Sequence, residues 1–333
     1  MKKIEIILLT ILITSCDSFV EDKYIPGDLT PPALVSISAI SKDSIKIVSN
    51  ENIFLNSSSF CSNNGLEIID FIENGHEITI KFNSELTPGN KYSAEYKILD
   101  SVGNSLWFIA EIYGYNSNLP KILINEFIVK GTKTNPNKIE LYVISSGNMA
   151  GITIYNGTKE SNDYSFIFPD MDVNEGEYIV IRTTSDNFPI PFIELDNINI
   201  KHDKKFLDNV RDIRIDDFKL SASSGTISIY NEPFGEIMDA VIYSKNLNDE
   251  TKNSRNFGLT KVVERVDEIG ECGEWISSNE LINPEDVIYS NSSTTTRSLS
   301  RYRFTDTNSK SDWIIVASKE ASFGYDNSEK AYE

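Results

Sequence analysis

The chain has 333 residues, with 31 Lys plus Arg against 50 Asp plus Glu for a net charge of −19; 40% of it is hydrophobic and 24% charged. That balance is close to the globular average, which excludes a disordered chain and a multi-span membrane protein and leaves length for two ordinary domains. The acidity sets long-range repulsion against phosphate backbones, so no nucleic-acid partner is expected.

The N-terminus reads as an export signal. Lys2 and Lys3 precede an apolar run from Ile6 to Ile13, broken only by Thr10, which stops at Ser15, Cys16 and Asp17. A membrane span needs about 20 apolar residues, so this run is a secretory h-region. Ile13, Thr14, Ser15 and Cys16 resemble the bacterial lipobox. That resemblance implies a lipoprotein signal peptide over residues 1–15 and acylation of Cys16, with palmitate-like chains as the membrane anchor. Two or three chains hold far more firmly than one. Asp17 resembles the inner-membrane retention signal of enteric bacteria, a rule that other groups do not follow, so the expected address is the outer membrane or cell surface of a bacterial envelope, with the inner membrane left open. Only Cys61 and Cys272 remain, far apart in sequence, and inert buried thiols are expected rather than a bridge between domains.

Residues 16–29 carry charge, Pro26 and Gly27 without hydrophobic period and form a tether. Strand alternation then begins: Leu34 to Ala39, Ile45 and Ile47, Leu66 to Ile69, Ile78 to Phe82, Tyr92 to Ile98, and Leu106 to Tyr115. The stretches TPPALVSISAISKDSIKIV and LTPGNKYSAEYKILDSVGNS resemble the Ig-like modules of bacterial envelope proteins, so residues 30–115 are expected to form a bacterial Ig-like domain. Leu86, Pro88, Gly89 and Tyr92 would make the corner before a strand, with the Tyr92 hydroxyl satisfying the backbone of the bend. Asp100, Gly103 and Asn104 would close the last hairpin.

Asn116 to Pro120 is a polar break. Further strands are predicted at Ile122–Ile128, Ile139–Ile144, Ile152–Tyr155, Tyr164–Phe168, Tyr178–Arg182, Thr226–Tyr230 and Ile237–Tyr243. ILINEF, KIELY, GTISIYNEPFGEIMDAVIY and SLSRYRFTDTNSKSDW, closed by Gly324 to Asn327, resemble the lamin-tail domain, an Ig-like sandwich, and frame residues 119–328 with an insertion at 185–219. The expected fold class is therefore all-β, two Ig-like β-sandwich domains in tandem after a cleaved lipoprotein signal peptide. Val262 to Arg265 leading to Trp275, and Ser298 to Arg301 leading to Trp313, echo each other, either as two related edge hairpins or by chance.

Several polar groups invite a chemical reading. Asn125 and Glu126 in ILINEF and Glu140 in KIELY could be read as a carboxylate pair, Glu126 with Glu140, doing acid–base work beside Asn125, but in alternating strands these three fit fold determinants better. Arg301, Asp306, Asp312 and Trp313 fit a charge-assisted cluster pinning the last hairpin. Asp212, Asp216 and Asp217 are the candidates for calcium; with no D-x-D-x-D-G loop, a solvated charged face is the default and no metal is assigned. His76 and His202 are too few for a zinc site or a triad, and no phosphate-binding glycine motif occurs, so neither cofactor nor catalytic residue is expected. Tyr113, Tyr115, Tyr155 and Tyr164 could decorate a binding face, and the 185–219 insertion and Ser290 to Thr296 could supply contact loops. The expected function is a lipid-anchored, non-catalytic binding or adhesion module, meeting the membrane through its lipid and a protein or glycan through its loops. The alternatives are a structural envelope component or, behind it, a hydrolase or calcium-dependent binder.

Overall fold

The computed structural model describes residues 27–132, 135–184, 209–216, 218–247 and 254–332. The export signal, Cys16, most of the tether, His202, Asp217 and most of the 185–219 insertion lie outside them. The described residues are mostly β, with one α-helix. No described helix is long and apolar enough to cross a membrane.

The first unit holds β1 (Leu34–Ser41), β2 (Ser44–Ser49), β3 (Phe54–Leu55), β4 (Cys61–Ser62), β5 (Ile68–Asn74), β6 (Glu77–Phe82), β7 (Lys91–Leu99) and β8 (Ser105–Tyr113). One sheet has the order β1-β2-β6-β5; in the other, β7 pairs with β8 along one edge and with β3 and β4 along its opposite edge. Strand periodicity explains the burial: Ile45, Ile47, Ile78, Ile80 and Phe82 turn inward and meet Ala94, Tyr96, Ile98, Ala110 and Ile112 of the other sheet. The Tyr92 hydroxyl accepts the Thr87 N–H at 2.8 Å, which ties the corner before β7. Asp100 Oδ1 accepts three successive N–H groups, from Val102, Gly103 and Asn104, and so closes the β7–β8 hairpin.

The second unit holds β9 (Lys121–Ile128), β10 (Asn137–Ser145), β11 (Gly147–Asn148), β12 (Thr153–Gly157), β13 (Asn162–Ile167), β14 (Asp172–Val173), β15 (Tyr178–Thr184), β16 (Val210–Asp216), β17 (Ser224–Tyr230), β18 (Ile237–Ser244), α1 (Thr260–Glu271), β19 (Ile288–Tyr289), β20 (Leu299–Arg301) and β21 (Trp313–Ile315). A six-stranded sheet, β16-β15-β10-β9-β20-β21, and a five-stranded sheet, β13-β12-β17-β18-β19, share one apolar core. The outer face of the six-stranded sheet is not left to solvent. Ile128, Tyr178, Val180 and Val210 on that face pack with Phe323 of the C-terminal segment.

Three expectations change. The stretch VRDIRID belongs to β16, paired in parallel with β15, and is not a solvated charged face. Its charges are admitted because they are paired: Arg182 binds Asp212 through Nε at 2.7 Å and Nη2 at 2.8 Å, and Arg211 Nε binds Glu177 at 2.8 Å. Second, Val262 to Arg265 lies in α1, whereas Ser298 to Arg301 ends in β20, so the echo is no structural repeat. Val262, Val266 and Ile269 recur at helical spacing and are buried. Third, Cys61 and Cys272 are both free and both exposed, so they are neither bridged nor buried.

The two units meet along a narrow seam. Asn116 Nδ2 donates to Asn148 O at 2.7 Å and Ala150 O at 3.0 Å, and Asn148 N donates to Asn118 O at 2.6 Å. Beside these bonds the backbones of Gly89 and Gly151 touch; a Cβ on Gly89, whose φ is +74°, would stand 2.8 Å from Gly151 N.

Candidate functional site

A cleft of about 440 Å³ opens beside this seam. One wall is β1, through Ser36, Ile37, Ser38 and Ala39; the next is the end of β8 and its continuation, Glu111 to Asn116; the far wall is the β17–β18 turn of the second unit, with Asn231, Glu232, Phe234, Gly235 and Glu236. Successive side chains of a strand point to opposite faces, so four consecutive residues line one cleft only when the strand meets it edge-on. The turn is set by its own polar groups: Asn231 Oδ1 accepts Glu236 N–H at 2.8 Å, and Gly235 N donates to Glu232 O at 3.1 Å. Tyr155 is buried beneath it and donates its hydroxyl to Pro233 O. The turn thereby holds Phe234 outward, 64% exposed, and Tyr115 stands across the cleft at 39%.

Charge in the cleft is mostly negative. Lys159 donates to Gly235 O at 2.9 Å and lies 5.7 Å from the Tyr230 ring centroid. Glu111 is paired with Lys91 at 2.9 Å. Burial pushes the Glu232 carboxyl up from its ordinary range.

The carboxylates that looked most chemical lie elsewhere and are closed off. A bulge in the β9–β10 pairing sets Asn125 and Glu126 opposite Glu140. Glu126 accepts from the Ser298 hydroxyl and from Ser322, whose N–H lies at 2.9 Å and whose hydroxyl at 2.9 Å. Glu140 accepts from Asn125 Nδ2 at 2.7 Å and Gly324 N at 2.5 Å. Asn327 exchanges amide bonds with Asn125 at 2.8 and 2.9 Å. Together these groups clamp the C-terminal segment onto the outer face of the sheet. Burial raises both carboxyls, Glu126 to about 7, and the neighbouring Glu126 charge pushes Glu140 further in the same direction. Neither reaches solvent, so neither is placed to act on a substrate.

Arg301 is a second buried strut, 1% exposed. Its guanidinium binds Asp239 through Nη2 at 2.9 and 3.0 Å, Asp306 at 2.9 Å, and the carbonyls of Ile124 at 2.9 Å and Thr305 at 3.1 Å; it lies 4.9 Å from the Trp313 ring centroid. Asp312 is 3.9 Å from it and mainly caps the Thr307–Asp312 turn, accepting Thr307 N–H at 2.7 Å. Asp239, the principal partner, is missing from the sequence reading because nothing in DAVIY marks it. Burial raises its carboxyl to about 6 even against Arg301.

The remaining candidates are distributed as follows. Asp212 faces Arg182, and Asp216 faces Arg214 at 2.6 Å, so both calcium candidates within the described residues are committed to arginines. A different acidic trio, Asp28, Glu51 and Asp100, converges in the first unit, but Asp100 already accepts Asn104 Nδ2 at 2.7 Å besides three backbone donors. His76 sits in the β5–β6 turn, where its carbonyl accepts Ser49 N–H. Tyr113 and Tyr115 line the cleft, Tyr155 supports its turn, and Tyr164 packs against Phe218. In the Ser290 to Thr296 loop, Lys130 Nζ donates to the carbonyls of Ser290 and Asn291, and Asn135 Nδ2 to that of Thr295. Phe234 and Glu232 carried no sequence signal beyond an aromatic set between acids in the turn NEPFGE.

Comparison with known proteins bears on the second unit. Residues 120–315, more than half of the chain, match the TP_1001 protein second domain. The chain belongs to that family. The TP_1001 second-domain match begins at Pro120, one residue before β9, and ends at Ile315, the last residue of β21, so it takes in both sheets and α1. It carries no lamin-tail assignment. The N-terminal part of the bacterial S-layer protein SbsC is similar at 12% identity over 65% of this chain and 44% of that one, with a TM-score of 0.25. Dimeric latent PorU from Porphyromonas gingivalis is similar at 9% identity over 65% of this chain and 20% of that one, with a TM-score of 0.16. The chain spans less than half of either, and overlaps this low carry no argument. No curated protein matches the chain.

Proposed function

We propose that the protein is a lipid-anchored, non-catalytic binding protein of a bacterial cell envelope. Cys16 carries the acyl chains, residues 16–29 are the tether, and two Ig-like sandwiches, the second of lamin-tail type, hold the interdomain cleft away from the membrane surface. The observation that carries this reading is the cleft: Phe234, on the β17–β18 turn, and Tyr115, in the link after β8, both leave exposed aromatic surface on the lining of one concave opening of about 440 Å³. The enclosure of Glu126, Glu140 and Asp239 supports a binding role over a catalytic one, since buried carboxylates saturated by protein donors have no substrate to act on.

Two measurements test the two halves of the proposal. Radiolabelled palmitate should enter the wild type and not Cys16→Ala. On glycan arrays and a panel of purified envelope and matrix proteins, capture should be lost in Phe234→Ala/Tyr115→Ala while the circular dichroism spectrum is retained; capture that survives both substitutions would remove the cleft from the proposal.

A further inference from the structure

The cleft combines two properties that narrow its partner. β1 pairs only with β2 among the described residues, so the N–H and C=O groups along its other edge have no strand to bond. Because Ser36 to Ala39 present that edge to the cleft, an extended segment lying there would gain a ladder of main-chain hydrogen bonds. Charge then decides what such a segment carries. Lys91 neutralises Glu111, and Lys159, hydrogen-bonded to Gly235 O, keeps one positive charge in the cleft against Glu232 and Glu236, which have no ion-pair partner among the described residues, so the lining stays net negative. Phe234 stands between those two carboxylates with its ring in solvent, a surface that attracts cations.

We propose that the cleft docks an extended, lysine- or arginine-bearing segment of a partner protein, laid along β1 as an added strand with its cationic side chains on Glu232, Glu236 and Phe234. This rests on the cleft being the binding site and names the class of partner it takes. Main-chain pairing supplies affinity and register, and the acidic turn selects positive side chains on one face of the incoming strand.

The test uses the full lipidated chain in non-ionic detergent and the labelled peptide acetyl-TKVKVKT-amide, read by fluorescence anisotropy at 150 mM salt. Binding is expected, with at least a tenfold loss of affinity in Glu232→Gln/Glu236→Gln, a near-isosteric change at a surface turn. The acidic counterpart acetyl-TEVEVET-amide should not bind, nor should the lysine peptide N-methylated at alternate amides, which keeps the charge and blocks the ladder. Equal binding of either control peptide, or unchanged affinity in the double variant, overturns the proposal. So does a dimer seen by sedimentation that dissolves in Phe234→Ala, since the occupant would then be a second copy. If no peptide binds while Phe234→Ala still abolishes capture of a glycan or a folded protein, the partner class is wrong and the cleft remains the binding site.

Discussion

Arg301 and Arg303 allow one sharp test of how this fold is held. Both arginines hold a carboxylate by two hydrogen bonds: Arg301 through Nη2 alone to the two Asp239 oxygens at 2.9 and 3.0 Å, Arg303 through Nε and Nη2 to Glu329 at 2.7 and 2.8 Å. They differ in burial, with side-chain exposures of 2% and 1% for the first pair against 62% and 53% for the second. Replacing Arg301 by Met strands the Asp239 carboxylate, leaving it only the Ile124 N–H at 2.6 Å, and orphans the carbonyls of Ile124 and Thr305. Removing one partner of a buried pair costs about 3–5 kcal/mol, whereas a solvent-screened exposed pair contributes little. With a urea slope of about 2–3 kcal/mol/M, Arg301→Met should lower the unfolding midpoint by roughly 1–2.5 M, and Arg303→Met should leave it nearly unchanged. Tryptophan fluorescence reads the transition, because Trp313 lies 4.9 Å from the Arg301 guanidinium and Trp275 is buried in the same core. The deficit of Arg301→Met should shrink as the pH falls from 7 to 5, since protonation discharges the stranded Asp239. Arg301→Met/Asp239→Leu should recover much of the loss by removing both charges. A midpoint shift in Arg301→Met no larger than that in Arg303→Met would refute the strut assigned to Arg301.

Glu126 and Glu140 bind protons more tightly folded than unfolded, so their contribution is full at low pH and is lost as pH rises, for Glu126 from the ordinary 4.5 through about 7 and for Glu140, raised by burial and by the Glu126 charge, in the same direction. The melting temperature of the wild type should therefore fall between pH 5 and 8, and Glu140→Gln should flatten that slope; calorimetry showing a flat or rising wild-type curve would contradict the coupling. Asp163, lowered chiefly by its bond to Arg265, loses its contribution only below its ordinary 3.8, outside this window. Gly89→Ala adds a Cβ 2.8 Å from Gly151 N at a positive φ and should loosen the seam. Faster proteolysis of the link at 114–120 would report this, and an unchanged rate would count against the seam. With Cys16 acylated as proposed, the native chain should present two thiols to Ellman's reagent, Cys61 and the slower Cys272, whose pKa is raised by partial desolvation and then by Glu268; no reaction before reduction would indicate a bridge.

The strand content was legible wherever apolar residues alternate. Ile122 to Ile128 and Ile237 to Tyr243 are largely apolar, isoleucine-rich stretches, and they occupy β9 and β18 almost to the residue. VRDIRID failed as a sequence signal because its charges sit where a half-exposed strand would carry them; only the pairing of Arg182 with Asp212 and of Arg211 with Glu177, across two strands and a turn, makes that segment buriable. The helix over Thr260–Glu271 was obscured for another reason. Its adjacent valines read as strand, and the Val262, Val266, Ile269 spacing becomes decisive only when the face they form has β17 to cover.

The cleft shows why the site was harder to see than the fold. Its walls come from residues 36–39, 111–116 and 231–236, three stretches with no motif among them, and what joins them is the seam at Gly89, Gly151 and Asn116. The charge clusters visible along the chain are spent inside it: Glu126 and Glu140 clamp the C-terminal segment, Arg301 ties β20 to β18 and β9, and Asp212 makes β16 fit. A carboxylate saturated by protein donors stabilises one conformation and offers nothing to a partner, whereas Glu232 and Glu236, ordinary turn residues on paper, have no ion-pair partner among the described residues and flank the exposed Phe234 in sequence. On the proposed reading, carboxylates without a cationic partner next to an exposed ring, rather than density of charge, distinguish the recognition surface from the struts that hold it in place.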